Sequence, residues 1–229
     1  MRRLLYPLLA LAVLAAFTPA ARAIDNAYPL HADDGSPMLN QRVSPRLEAR
    51  IDKLPGAVVA GNPKGKITLA EFYDLNCSFC RLASEHIAAL VAANPELRLV
   101  LVPFPVFGVS SIQGTLVELA VARLVPPRKF YEFHRKLFET RGTIAGARAL
   151  AQAEALGLDR KKVVSIANGD DMGKIMIAHV ELGNALAIAV TPGFVIKGTA
   201  ILGFPGPKSL AKIIASAQRC GEVVCKDGR

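Results

Sequence analysis

The run Ile67-Thr68-Leu69-Ala70-Glu71-Phe72-Tyr73-Asp74-Leu75-Asn76-Cys77-Ser78-Phe79-Cys80-Arg81 decides the reading of this chain. Its first half, Ile67 to Tyr73, is apolar and β-favouring and reads as a central strand. Two cysteines follow with two residues between them. A helical pattern then begins at once, with Ala83, Ile87, Leu90 and Val91 at i, i+4, i+7 and i+8 on one apolar stripe, which predicts a helix over 78–93. Cys77 therefore belongs where a strand ends and a helix begins, with Cys80 one turn in.

That placement sets the chemistry. The first turn of a helix presents unpartnered N–H groups and the positive end of the macrodipole. A thiol there has its anion stabilised, and such cysteines fall to about 3.5–7.5 from about 8.5. The spacing suits a disulfide, because the two Cα atoms come within the ~4.4–6.8 Å that the bond tolerates. Cys77 is expected as the nucleophile of thiol–disulfide exchange and Cys80 as the resolving thiol. The rival reading is half a zinc site, which needs two more ligands at matching spacing. Cys220 and Cys225 are the remaining cysteines, and the Gly-Glu-Val-Val between them is not a knuckle spacing.

The N-terminus reads as an export signal over residues 1–23. Arg2 and Arg3 form the basic region, Leu4 to Phe17 the apolar region, and Ala21-Arg22-Ala23 the cleavage pattern. The apolar run carries Pro7 and is shorter than the ~20 residues of a membrane span. Cleavage after Ala23 removes three arginines, so the 28 basic residues drop by those three against 19 acidic ones, a net charge of about +6. No basic run interleaves with aromatics, which argues against nucleic-acid binding. An exported protein meets an oxidising compartment, where disulfides persist. The localisation expected is the periplasm.

Residues 24–56 carry Pro29, Pro37, Pro45 and Pro55 and little apolar period, and read as a weakly structured N-terminal extension: a linker, a tether, or a dimer contact that could join copies into a homo-oligomer, among which the sequence does not choose. One short helix is expected from Pro45 to Lys53, with Ser44 as N-cap and Leu47 and Ile51 on one face. Ala57 to Ala60 reads as an edge strand. Leu97 to Val102 reads as a buried parallel strand, completing a βαβ unit. The stretch over about 109–189 then reads as an all-helical insertion: Ser111–Leu124, Arg128–Glu139, a helix capped by Thr143 and ending at Gly157, one begun by Asp159, and a long one capped by Asp170 or Asp171. Phe194–Ile196 and Ala200–Leu202 form a hairpin around Lys197-Gly198, and Pro207–Gln218 a closing amphipathic helix. His31, His86, His134 and His179 show no metal-site spacing and are expected on the surface or on helix faces.

Two motifs now stand together: Phe72 to Arg81, and Thr191-Pro192-Gly193-Phe194-Val195-Ile196-Lys197-Gly198 after a helical block. Over about residues 57–218 the chain resembles DsbA-type thiol:disulfide oxidoreductases. The resemblance implies an α/β thioredoxin fold with an inserted all-helical block and a tail, 219–229. It implies a cis bond at Pro192, packed against a redox-active Cys77–Cys80 disulfide. Thr191 would then face the cysteines and offer its backbone to an extended client, with Pro192, Ser78 and Phe79 completing the substrate surface. The resemblance also implies a buried acid at Glu71 that relays a proton for Cys80. Glu71 shares a strand face with Tyr73 and Leu75, and a desolvated carboxyl titrates near neutrality.

Ser78-Phe79 departs from the Pro-His of the oxidase archetype, so one donor to the Cys77 thiolate is missing and a less oxidising couple is expected. Cys220–Cys225 is expected as a structural disulfide, with an electron-shuttle pair as the alternative. The dithiol is its own redox couple, so no cofactor and no resident metal is called for. The partners expected are exported proteins with cysteines and a membrane redox partner. The alternative function is a chaperone-like or soft-metal binder that clamps copper(I) between Cys77 and Cys80.

Overall fold

The computed structural model describes residues 26–226, so the export signal expected over 1–23 lies outside the described residues. In chain order the elements are β1 (Asn40–Arg42), α1 (Pro45–Glu48), a 3-10 turn (Ile51–Lys53), β2 (Val58–Gly61), β3 (Ile67–Tyr73), α2 (Ser78–Ala93), β4 (Leu97–Pro103) and α3 (Val109–Leu124). There follow α4 (Pro127–Glu139), α5 (Gly146–Ala155), α6 (Arg160–Ala167), α7 (Asp170–Ala185), β5 (Gly193–Ile196), β6 (Thr199–Leu202) and α8 (Pro207–Cys220).

One sheet carries the strands in the order β1-β6-β5-β3-β4-β2. β3 and β4 run parallel, joined through α2, and the other pairings are antiparallel. The sheet is covered on both faces, which is why β3 and β4 are nearly continuously apolar. Alternation sorts their side chains. Leu69, Tyr73 and Leu75 join the core under α2, α8 and the insertion, whereas Ala70 and Phe72 join the core under α7. Glu71 follows the parity of Leu69 and Tyr73, toward α2. The pairing of Phe72 with Gly193 brings the segment before β5 alongside the strand end from which the cysteines emerge.

The helical insertion is α3 to α7. It is pinned to the sheet where it matters for the site: Gly114 of α3 lies so near the active-site loop that a Cβ would stand 2.8 Å from the Ile144 carbonyl and 3.0 Å from Leu75.

Several expectations are corrected. The N-terminal extension is an integral part of the fold: β1 pairs with β6 at the sheet edge, and Leu30, Met38, Val43 and Ile51 are buried. Buried Asn40 binds the Tyr28 N–H and the Tyr28 and Met38 carbonyls, supplying order that local periodicity does not display. The helix expected over 45–53 does begin at Ser44 and Pro45 but breaks after Glu48 and resumes as the 3-10 turn. Thr143 is not the cap of α5, which starts from Ala145. Gly169, not an aspartate, caps α7, and Asp170 and Asp171 occupy its first turn, where they complement the dipole and Asp171 pairs with Arg123. α8 continues two residues beyond Gln218 and stops at Gly221 in the left-handed conformation. His134 and His179 lie on helices α4 and α7, one of the two placements expected, but on their buried sides.

Candidate active site

Cys77 is the N-cap of α2, with extended backbone, and Cys80 sits in the first turn. Both are thiols. Cys77 keeps 4% of its surface and Cys80 none, so an incoming sulfur can reach only the first. The Thr191–Pro192 peptide is cis, and the Thr191 carbonyl oxygen lies 3.1 Å from Cys77 Sγ. The two motifs, more than a hundred residues apart in the sequence, thus form one site. Ser78 and Phe79 follow on α2, and Phe79 is 61% exposed although large and apolar.

The electrostatics separate the two thiols. Cys77 is pulled down to about 6: the Cys80 thiol donating to its sulfur is the largest cause, burial works against it, and Thr191 and the N–H groups of Cys80 and Phe79 add to it. Cys80 is pushed far up, first by burial, then by its hydrogen bond to Cys77 and by Glu71. Hence the helix start does supply N–H donors, but the second cysteine is the leading one. At neutral pH the pair holds one thiolate, on the sulfur that can be reached.

Glu71 is 2% exposed, with Oε1 unpartnered. Burial first, then the charges of Cys77 and Glu118, push its carboxyl up to about 8. It is therefore a protonated acid at pH 7 that can still ionise, a property suited to exchanging a proton with a buried thiol.

Residues that motif reading did not single out hold this loop in place. Asp74 is fully buried and accepts from Asn76 N, Val106 N, Phe107 N and Ser111 Oγ at 2.6–2.9 Å. Asn76 accepts from Ile144 N at 2.7 Å and donates to Ser111 Oγ and the Ile144 carbonyl. Arg81 donates to the carbonyls of Phe138 and Thr140 at the end of α4, where a cation complements the dipole. The available signal was the polarity of Asp74 and Asn76 between Phe72, Tyr73, Leu75 and Cys77. At the other end of the chain Cys220 and Cys225 are disulfide-bonded, with Cα atoms 5.9 Å apart. Among the described residues no group of three or more His, Cys, Asp or Glu is gathered as a metal site would require.

A family model described as Thioredoxin matches residues 53–216. Among solved structures, a thioredoxin-like oxidoreductase from Silicibacter pomeroyi DSS-3 is 29% identical with a TM-score of 0.68, covering 74% of this chain and 98% of that one. The thiol-disulfide exchange protein alpha-DsbA2 from Wolbachia pipientis is 18% identical with a TM-score of 0.65, covering 76% and 98%. A periplasmic thioredoxin-like protein from Salmonella enterica serovar Typhimurium is 20% identical with a TM-score of 0.65, covering 77% and 98%. None of the curated proteins compared matches the chain. The chain belongs to the thioredoxin family. Within it, the helical insertion gives it a DsbA-like architecture.

Proposed function

We propose that this chain is an exported enzyme that exchanges disulfides on periplasmic proteins containing cysteines. The observation that carries the reading is the polarity of the dithiol: an acidic, reachable Cys77 opposite Thr191, with a buried, protonated Cys80 behind it. Export is supported by the pattern of residues 1–23 and fits a fold shared with a periplasmic protein.

In the oxidising direction a client thiolate attacks Cys77 Sγ of the disulfide, the Cys77–Cys80 bond breaks, and Cys80 leaves as a thiolate. Glu71, protonated at neutral pH, gives it a proton. A second client thiolate then attacks the client sulfur of the mixed disulfide, and Cys77 departs as the stabilised thiolate. In the reducing direction the Cys77 thiolate attacks a client disulfide, and Cys80 must lose its proton to the ionised form of Glu71 before it attacks Cys77 Sγ and displaces the client sulfur. The Thr191–Pro192 backbone docks the client as a short β-bridge, while Ser78 and exposed Phe79 border it. A membrane redox partner resets the dithiol.

The couple lies between the extremes of the fold. A Cys77 midpoint of about 6 is nearer the about 7 of thioredoxin than the about 3.5 of DsbA, which leaves both isomerisation and reduction within reach of the chemistry. Insulin reduction and reactivation of scrambled ribonuclease, each with Cys77→Ser as control, test the assignment. Both activities should vanish in the variant; turnover that survives the loss of this sulfur refutes it.

A further inference from the structure

Four buried polar atoms without a partner gather behind the dithiol: Glu71 Oε1, Tyr73 OH, Glu118 Oε2 and Tyr131 OH, out of six such atoms among the described residues. Buried polar groups are nearly always paired, so a cluster of unpaired ones asks for a reason. Its members come from three elements. Glu71 and Tyr73 are neighbours on one face of β3, about 7 Å apart along the strand. The ring of Tyr73 lies edge-on to His134 of α4 at 4.7 Å, and Tyr131 of α4 stacks on the same imidazole at 6.3 Å. His134 Nδ1 is 2.8 Å from Glu118 Oε1 of α3, and both residues are buried, at 2% and 0% exposure. A carboxylate in the middle of a helix that faces inward, held by a histidine, is costly unless it has work to do.

We propose that Glu118 is a second buried acid of the redox site, a positioning residue that acts across Tyr73 on Glu71 and so sets the pH at which Cys80 surrenders its proton. This rests on the exchange reaction proposed above. Resolution needs the Cys80 proton to pass to an ionised Glu71; the Cys80 sulfur then bonds to Cys77 and the client leaves as a thiolate. The Glu118 charge opposes that ionisation. The groups that face this pair are Cys77 and Cys80 from α2, Tyr73 from β3, and Tyr131 with the neighbouring Arg135 from α4. His179 of α7 also faces Glu118, while its own ring nitrogens meet the Pro55 and Pro103 carbonyls. Glu118 is among the causes that raise both Glu71 and Tyr73, which agrees with the geometry.

The test is a carbon-13 titration of the side-chain carboxyls in the full chain, which reads protonation with no turnover and so remains valid even if the exchange assignment fails. In the unsubstituted protein Glu71 should titrate near 8. A Glu71 midpoint in the ordinary carboxylate range overturns the proposal. In Glu118→Gln, which keeps the shape, the Glu71 midpoint should move to lower pH by about one unit. The midpoint of the resolving step, followed by stopped flow on the mixed disulfide, should move by the same amount. A folded Glu118→Gln whose Glu71 midpoint does not move also overturns it. If that variant fails to fold, Glu118→Asp, which draws the charge back by one methylene, decides: its Glu71 midpoint should fall by part of that amount, and no movement overturns the proposal.

Discussion

Substituting Phe79 by histidine should make this dithiol more oxidising by a calculable amount. Phe79 lies in the first turn of α2, is 61% exposed, and already gives its backbone N–H to the Cys77 sulfur. The side chain can therefore change without disturbing a core. The starting potential follows from the Cys77 midpoint of about 6. DsbA combines a midpoint of about 3.5 with about −120 mV, and thioredoxin about 7 with about −270 mV. One unit of thiolate stabilisation is a tenfold change in the redox equilibrium, or about 30 mV. Counting from either reference places this couple between about −190 and −240 mV. A histidine that donates to the thiolate adds a charge-assisted hydrogen bond of about 1.5–3 kcal/mol. That lowers the midpoint by about 1–2 units and raises the potential by about 30–60 mV, because the reduced form is the one stabilised. The assay is equilibration with glutathione at fixed pH, read by alkylation, beside a thiolate titration of the same variant. A lowered Cys77 midpoint with an unchanged or more reducing potential would refute the reasoning.

Three further outcomes are expected. Glu71→Gln should stabilise the protein at neutral pH: the folded carboxyl titrates near 8 against 4.5 unfolded, so stability is intact below 4.5 and is lost as pH rises toward 8, and the non-titrating variant escapes up to about 3 kcal/mol of that loss at pH 7. Denaturant unfolding at pH 5 and pH 7 checks it; equal differences at both would contradict a raised carboxyl. Asn76→Ala, which strips three hydrogen bonds between the active-site loop and the insertion, should cost about 1–3 kcal/mol of stability by thermal melting. Replacing both Cys220 and Cys225 by serine should cost about 2 kcal/mol or less, since the bond closes a loop with a sequence separation of only 5. Insulin reduction should be unchanged in that variant; a lost activity would favour a shuttle role.

The fold was legible where local pattern and tertiary environment agree. The near-continuous apolar run of β3, the period of 3.6 in α2 and the stops at Pro95 and Pro126-Pro127 are visible in the chain because the core dictates them. Glu71 stood out as an acid in an apolar strand. The residues missed are those whose reason is distant. β1 exists because β6 offers it an edge, and Asp33 accepts from the Lys208 and Ser209 N–H groups at the start of α8. Asp74 and Asn76 read as ordinary loop polarity, yet they fasten the cysteine loop to segments far along the chain. Glu118 and His134 stand sixteen residues apart on separate helices. Only packing α3 against α4 shows that they face each other indoors. The leading cause of Cys77 acidity, its partner's thiol, also depends on side-chain geometry that spacing alone does not give.

The most direct trial is a thiolate absorbance titration of the reduced protein, repeated on Cys80→Ser. A single ionisation near 6 that belongs to Cys77, with Cys80 silent into strongly alkaline solution, is the expected result. If Cys77 ionises near the ordinary 9.0 instead, the sulfur opposite Thr191 has no special acidity and the proposed chemistry fails.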